Sequence, residues 1–168
     1  MNQVEVSSLR NTDYFYFMLE TVRLAEDCVW ASVFSMNLTF LDDTNLKVRD
    51  FVKELVSAQQ RGVDVRILLS GERVEYSAFR VANEMANDYL MSQGVEVRRY
   101  ASSDKRQSHS KYVIVDDSLV ILGSHNWSPR SFALGRDDSV ALRSTELNKR
   151  MKAIFVNDWD QGEVSYVS

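Results

Sequence analysis

The chain has 168 residues, which is enough for one well-buried core, and we expect a single domain over residues 1–168. Hydrophobic residues make up 45% and charged residues 26% of the chain, a balance that excludes a disordered protein and is ordinary for a soluble globular one. The formal net charge of −4 excludes a global attraction to nucleic acid or anionic membranes, so any such attraction must come from a local patch.

Cysteine usage and the N-terminal sequence bear on whether the protein is secreted, zinc-binding or membrane-bound. Cys28 is the only cysteine, so an internal disulfide is excluded, and its apolar neighbours predict a buried structural thiol. No Cys/His cluster has zinc-ligand spacing. The N-terminus lacks the pattern of a signal peptide, and no apolar run reaches the roughly 18 residues of a membrane span. We therefore expect a cytoplasmic protein and no membrane partner.

Helix and strand patterns alternate in the first hundred residues. Apolar side chains at helical spacing predict helices over 12–26, 44–61 and 74–92. The third of these helices depends on Phe79, Val81, Met85, Tyr89 and Leu90 as its apolar positions. β-Branched and aromatic runs predict strands over 28–36, 63–69 and 95–100. This order is typical of βαβ units.

The alternation of strand and helix patterns ends after Tyr100. A polar loop is predicted up to residue 108, and later patterns predict strands over 111–115, 119–122 and 137–142 and a helix over 146–159. The predicted fold class is therefore α/β, with a mixed, mainly parallel sheet flanked by helices on both faces.

Both histidines of the chain lie in two neighbouring runs, one from His109 to Asp116 and one from Gly123 to Ser128. A hairpin with a two-residue turn would pair His109 with Ser124 and place Lys111 and Asn126 on the same side. An imidazole, an ammonium, a hydroxyl and an amide together suit a phosphoryl group, and Gly123 would allow close backbone approach.

Other residues of this region have less direct roles. Asp116 has the opposite strand parity and is predicted to be a structural carboxylate, and His125 is predicted to be a supporting residue. Trp127 is available to stack on a base, although core packing is favoured. Residues 98–111 carry five basic side chains against one aspartate, and Lys105 and Arg106 are candidates for attracting nucleic acid.

The spaced pattern His-x-Lys, four residues, Asp, followed by Gly-Ser-x-Asn, resembles the signature of the phospholipase D superfamily, most closely its short, single-motif nuclease branch. The resemblance covers residues 13–162 and implies the phospholipase D/nuclease-like fold. It also implies phosphodiester cleavage through a phosphohistidine on His109, without a metal or cofactor. Lys111 and Asn126 would then bind phosphate oxygens, supported by Ser124.

Members of this superfamily carry two motif copies or form dimers. One copy is present here, so the resemblance implies a homodimer in which each subunit contributes His109 to a shared site. An acidic residue downstream usually orients the nucleophilic imidazole, and Asp138 holds the matching position, with Asp137 as the alternative.

Three functions remain open at this point. The first is an endonuclease acting on DNA or RNA. The second is a phospholipase D or phosphatidyl transferase acting on lipid phosphodiesters. The third is a catalytically silent dimer that binds nucleic acid.

Overall fold

The structure is a computed structural model that describes residues 4–38, 46–71, 78–100 and 108–164. The predicted starts of the second and third helices lie outside these ranges. The described elements, in chain order, are β1 (Glu5–Arg10), α1 (Thr12–Leu24), β2 (Cys28–Val33), α2 (Leu46–Gln60), β3 (Asp64–Leu69), α3 (Ala78–Ser92), β4 (Glu96–Arg99), β5 (Lys111–Val115), β6 (Leu119–Gly123), a π-helix (Arg130–Leu134), β7 (Asp138–Arg143) and α4 (Thr145–Asp160).

The seven strands form one mixed sheet in the order β1-β7-β6-β5-β2-β3-β4, which confirms the predicted α/β class. Parallel pairing is limited to β2–β3 and β3–β4, where helices α2 and α3 provide the crossovers that parallel neighbours need. The other four pairings are antiparallel, so the expectation of a mainly parallel sheet was wrong. The reason is that β5, β6 and β7 pair as successive neighbours, and the unpredicted strand β1 joins the edge antiparallel to β7.

Helices cover both faces of the sheet, as predicted. Residues of α1, α2 and α3 pack with alternate residues of the strands in one large apolar cluster. Helix α4 covers the opposite face, where Phe155 stacks on Trp30 with ring centroids 5.3 Å apart. Within the described ranges, no helix has the length and apolar character needed to cross a membrane.

Helix α3 is rotated relative to the face that its apolar residues suggest. Phe79, Val81 and Met85 are each about half exposed, and the buried positions are instead Asn83, Ala86, Asn87 and Leu90. A buried asparagine is tolerated when its amide is satisfied, and Asn83 bonds three backbone groups at the ends of β2 and β3. The apolar pattern therefore located the helix but did not identify its inward face.

Candidate active site

One edge of the sheet gathers the polar residues that the sequence singled out. The carboxyl ends of β2, β3 and β4 meet there, and Lys111 begins β5 at the same edge, opposite Val33 of β2. Gly123 ends β6 at this edge, opposite Ser139 near the start of β7. The carboxyl edge of parallel strands is where α/β proteins commonly place their ligand sites.

His109 and Lys111 form the centre of the site. The ammonium Nζ of Lys111 lies 3.2 Å from Nδ1 of His109 and donates to the His109 carbonyl oxygen at 3.0 Å. His109 is exposed, whereas Lys111 is partly covered. Burial lowers the pKa of Lys111, and the negative charge of Asp137 opposes that shift. The pair therefore offers a solvent-accessible imidazole beside a fixed positive charge.

The acidic residues beside this pair have divided roles. The hydroxyl of Ser124 donates to Oδ1 of Asp137 at 2.8 Å and accepts from the backbone N–H of Asp138 at 3.1 Å. The carboxylate of Asp138 instead lies 3.5 Å from Nε of Arg10, and both side chains are largely exposed. The structure thus couples Asp137, through its charge, to Lys111, and it turns the Asp138 carboxylate toward β1.

The register of the β5–β6 hairpin differs by one residue from the prediction. The prediction pairs Lys111 with Leu122, whereas in the structure Tyr112 pairs with Leu122. The side chain of Lys111 therefore lies on the face of the hairpin to which position 123 belongs. The turn contains three residues, 116–118, instead of two. Ser124 consequently does not pair with His109, and its hydroxyl is occupied by the acidic segment. The backbone at Gly123 lies close to β7, because a Cβ there would collide with Ser139 and with the carbonyl oxygen of Asp138. Its predicted approach to a phosphoryl group stays a prediction.

Asp116 lies at the opposite edge of the sheet from His109. Its backbone φ of 50° is left-handed, and its Oδ1 accepts from the backbone N–H groups of Asp27 at 2.8 Å and Cys28 at 3.1 Å. These contacts agree with the structural role predicted for this carboxylate, and its position away from His109 gives it no direct part in the candidate site. The left-handed residue also explains the longer turn. Cys28 is buried, as predicted.

His125 is a buried supporting residue, as predicted. Its ring stacks on Tyr14 with centroids 4.2 Å apart, Nε2 donates to the Asn11 carbonyl oxygen at 3.1 Å, and Nδ1 lies 2.7 Å from Oγ of Ser139. These contacts fix the connection on either side of His125. Next to it, Oδ1 of Asn126 is buried and has no hydrogen-bond partner among the described residues.

The burial of His125 predicts a pH-dependent stability. Burial lowers the pKa of His125, so the unfolded chain binds an additional proton just below pH 6.5. The contribution of His125 to the free energy of unfolding should therefore be fully present above pH 6.5. It should decrease as the pH is lowered from 6.5 toward the folded-state pKa. Urea unfolding at several pH values should show this slope, and His125→Gln should flatten it. Equal slopes in the two proteins would contradict the assignment.

Three predicted substrate contacts have different outcomes. Trp127 is fully buried, donates to the Tyr14 hydroxyl at 3.1 Å and packs against Phe51, so it belongs to the core and cannot stack on a substrate base. The apolar and aromatic surroundings of α1 and α2 explain this burial. Lys105 and Arg106 lie outside the described residues.

In the described ranges, no group of three or more His, Cys, Asp or Glu side chains could hold a metal ion.

Sequence reasoning did not identify Phe34 as part of this region. Phe34 follows β2 directly, and its ring centroid lies 4.6 Å from that of His109 and 5.0 Å from Nζ of Lys111. The only sequence signal was an aromatic residue near the end of a buried strand, which also describes ordinary core residues.

Comparison with known proteins identifies the class to which this fold and site belong. The family model described as "Cardiolipin synthase, PLD-like domain" matches residues 18–159, which is most of the chain. The chain therefore belongs to the phospholipase D superfamily of phosphodiester-processing enzymes, as a domain of this PLD-like family. The resemblance inferred from the two motif runs is confirmed.

Individual relatives differ in how much of their length the chain covers. Cardiolipin synthase B of Escherichia coli (strain K12) is 28% identical over 102 residues, which is 61% of this chain and 24% of that protein. The chain thus spans about a quarter of the length of this curated relative. The crystal structure of Nuc, a phospholipase D family member from Salmonella typhimurium, matches with a TM-score of 0.78 at 21% identity and covers 98% of this chain and 100% of that one.

A third neighbour is TrmBL2, an archaeal chromatin protein whose structure is described as showing a novel mode of DNA binding. It matches with a TM-score of 0.58 at 18% identity, covering 94% of this chain and 53% of the other. At these identities the two structural likenesses establish the fold alone.

Proposed function

We propose that this protein cleaves nucleic-acid phosphodiesters through a phosphohistidine intermediate, in a site that two subunits share. The observation that carries the proposal is the exposed imidazole of His109, 3.2 Å from the ammonium of Lys111 at the carboxyl edge of the parallel strands. An accessible imidazole is a competent nucleophile, and an adjacent cation stabilises the charge on a phosphoryl group.

In the proposed first step, a nitrogen of His109 attacks phosphorus, and the bond from phosphorus to the leaving oxygen breaks. His109 of the partner subunit donates a proton to that oxygen. In the second step, the partner's His109 accepts a proton from water, water attacks phosphorus, and the phosphorus–nitrogen bond breaks. One imidazole must begin neutral and the other protonated, and histidine supports both states near pH 7.

The neighbouring residues would hold the reacting phosphate. Lys111 would supply positive charge to its oxygens, and the side-chain amide of Asn126 would donate a neutral hydrogen bond to one of them through Nδ2. We assign the acidic supporting role to Asp137, because its charge acts on Lys111 and its carboxylate holds Ser124, whereas Asp138 pairs with Arg10. Ser124 then acts by fixing Asp137.

Two considerations support nucleic acid as the substrate. The segment 98–111 is locally basic although the chain is acidic overall, and a local basic segment attracts a polyanion. The neighbour TrmBL2, which shares the fold, is described as binding DNA. Because TrmBL2 is described by DNA binding and not by cleavage, a catalytically silent dimer that binds nucleic acid is also an outcome of the test below.

A phosphatidyl-transfer activity is the second candidate, because the matching family description and the relative in Escherichia coli both name cardiolipin synthase. The chemistry on His109 would be the same, with a lipid alcohol replacing water in the second step. The substrate alone distinguishes the two candidates.

A substrate panel decides between the candidates. Single-stranded DNA, double-stranded DNA, RNA and vesicles of phosphatidylglycerol should each be incubated with the protein in excess EDTA. We expect cleavage of at least one nucleic acid and no change in the lipid. Cleavage should persist in EDTA, because Lys111 supplies the positive charge that a metal would otherwise provide. Lipid turnover alone would establish the second candidate, binding without cleavage would establish the third, and activity lost with EDTA would contradict the metal-free mechanism.

A further inference from the structure

The ring of Phe34 forms a floor beneath both central residues of the site. Its centroid lies 4.6 Å from the His109 ring, at an interplanar angle of 51°, and 5.0 Å from Nζ of Lys111. Only 8% of Phe34 is exposed, so its ring closes the inner side of the site to solvent. A packed ring of this kind limits the positions that the imidazole above it can occupy.

Phe34 also provides an electrostatic partner for the ammonium. Desolvation disfavours the charged form of Lys111, and the face of an aromatic ring attracts a cation at the observed distance. The ammonium donates to the His109 carbonyl oxygen on one side and faces the Phe34 ring on another. The ring therefore helps to keep a positive charge beside the phosphate position.

Buried Asn83 fixes the position of this floor from helix α3. Its Oδ1 accepts from the backbone N–H of Met36 at 2.8 Å, and its Nδ2 donates to the carbonyl oxygens of Phe34 at 2.9 Å and Ser70 at 3.3 Å. Asn83 is 1% exposed, so these bonds are shielded from water. One side chain thus ties together the segments that leave β2 and β3.

The same bonds reach His109 by a second route. The hydroxyl of Ser70 donates to the carbonyl oxygen of Ser108 at 3.1 Å, and Ser108 immediately precedes His109. Asn83 therefore acts on His109 through the Phe34 ring and through the backbone before it.

We propose that Phe34, held by Asn83, is a positioning residue that orients His109 and maintains the positive charge of Lys111. The proposal rests on the proposed function, in which these two side chains act on a phosphodiester. Substitution of the ring by an aliphatic side chain should then impair the chemical step more than substrate binding, because the reacting groups would lose their orientation.

The test compares Phe34→Leu with Phe34→Tyr and with Phe155→Leu. Phe155 is a matched control, because it is fully buried and stacks on Trp30 on the other face of the sheet. We expect Phe34→Leu to lower kcat about tenfold or more while KM changes less than about twofold. Phe34→Tyr, which keeps the ring, should retain most of kcat, and Phe155→Leu should keep the kcat of its folded fraction.

A second measurement does not require a substrate. Lysine labelled with ¹³C at Cε, with the Lys111 signal identified from its loss in Lys111→Arg, reports the titration of this ammonium. Phe34→Leu should move the Lys111 titration to lower pH, because the cation loses its aromatic partner, whereas Phe34→Tyr and Phe155→Leu should leave it in place.

The two measurements separate failure of this inference from failure of the proposed function. If the wild-type protein turns over no phosphodiester, the proposed function fails, and the lysine titration alone still decides whether Phe34 supports the charge. If the wild type is active but Phe34→Leu matches Phe155→Leu in kcat and in the Lys111 titration, the positioning role of Phe34 is overturned.

Discussion

Replacement of His109 by asparagine should lower kcat by about 10³-fold or more, because asparagine cannot form the phosphorus–nitrogen bond that the mechanism requires. The fold should remain intact. His109 is exposed, and its side chain contacts Lys111 and the ring of Phe34 among the described residues, so the free energy of unfolding should change by only about 0.5 kcal/mol. Steady-state kinetics and urea unfolding of the same preparation measure both quantities.

His125→Asn is the matched control, since the chain has only two histidines and this one is buried. It should lower the free energy of unfolding by about 1–3 kcal/mol, because it removes the stacking on Tyr14 and disturbs the contacts with Asn11 and Ser139. Its loss of kcat should be much smaller than that of His109→Asn. If His109→Asn kept more than about a tenth of kcat, His109 would not be the nucleophile.

The sequence was most informative where periodicity and chain order are sufficient. The βαβ segment from β2 to β4 was predicted because buried strands and intervening helices have different periods. Strand β1 was missed because its exposed side chains, such as Val6, lack an inward apolar pattern, and its place is set by pairing with β7. Long-range pairing of this kind is not encoded locally, so the direction of four of the six strand pairs could not be read in advance.

The candidate site was predicted in its composition and less well in its geometry. His109 and Lys111 were identified from spacing, and the structure places their side chains together. The position of Ser124 was wrong by one register step, because a left-handed Asp116 bound by distant backbone N–H groups lengthens the turn. A slip of one residue reverses the face of every side chain on a strand.

Contacts made across the fold explain the remaining differences. Asp138 matched the expected acidic position by alignment of the motif, yet its partner is Arg10 on β1, a strand that was not predicted. Phe34 and Asn83 are far from His109 in sequence, and the contact of Phe34 with His109 and the bond of Asn83 to Phe34 form only after β2 and α3 have packed. A single sequence contains no local sign of such an arrangement.

The proposed shared site predicts that subunits cannot act alone. In the proposed dimer each subunit supplies one His109, and the proposed mechanism needs two imidazoles at one phosphorus atom. A dimer that combines one wild-type chain with one His109→Asn chain would lack either the nucleophile or the proton donor. It should therefore be nearly inactive, and its activity should be less than half that of a wild-type dimer.

Mixing the two chains measures this directly. Wild-type and His109→Asn chains, co-expressed or exchanged to random pairing in equal amounts, should give about one quarter of the activity of the same total amount of wild-type chain, because only dimers with two intact histidines are active. Mixtures with Lys149→Ala, an exposed position on α4, control for the exchange itself and should lose no activity. An activity of about one half, falling linearly with the fraction of variant, would show that each chain works independently and would contradict the shared site.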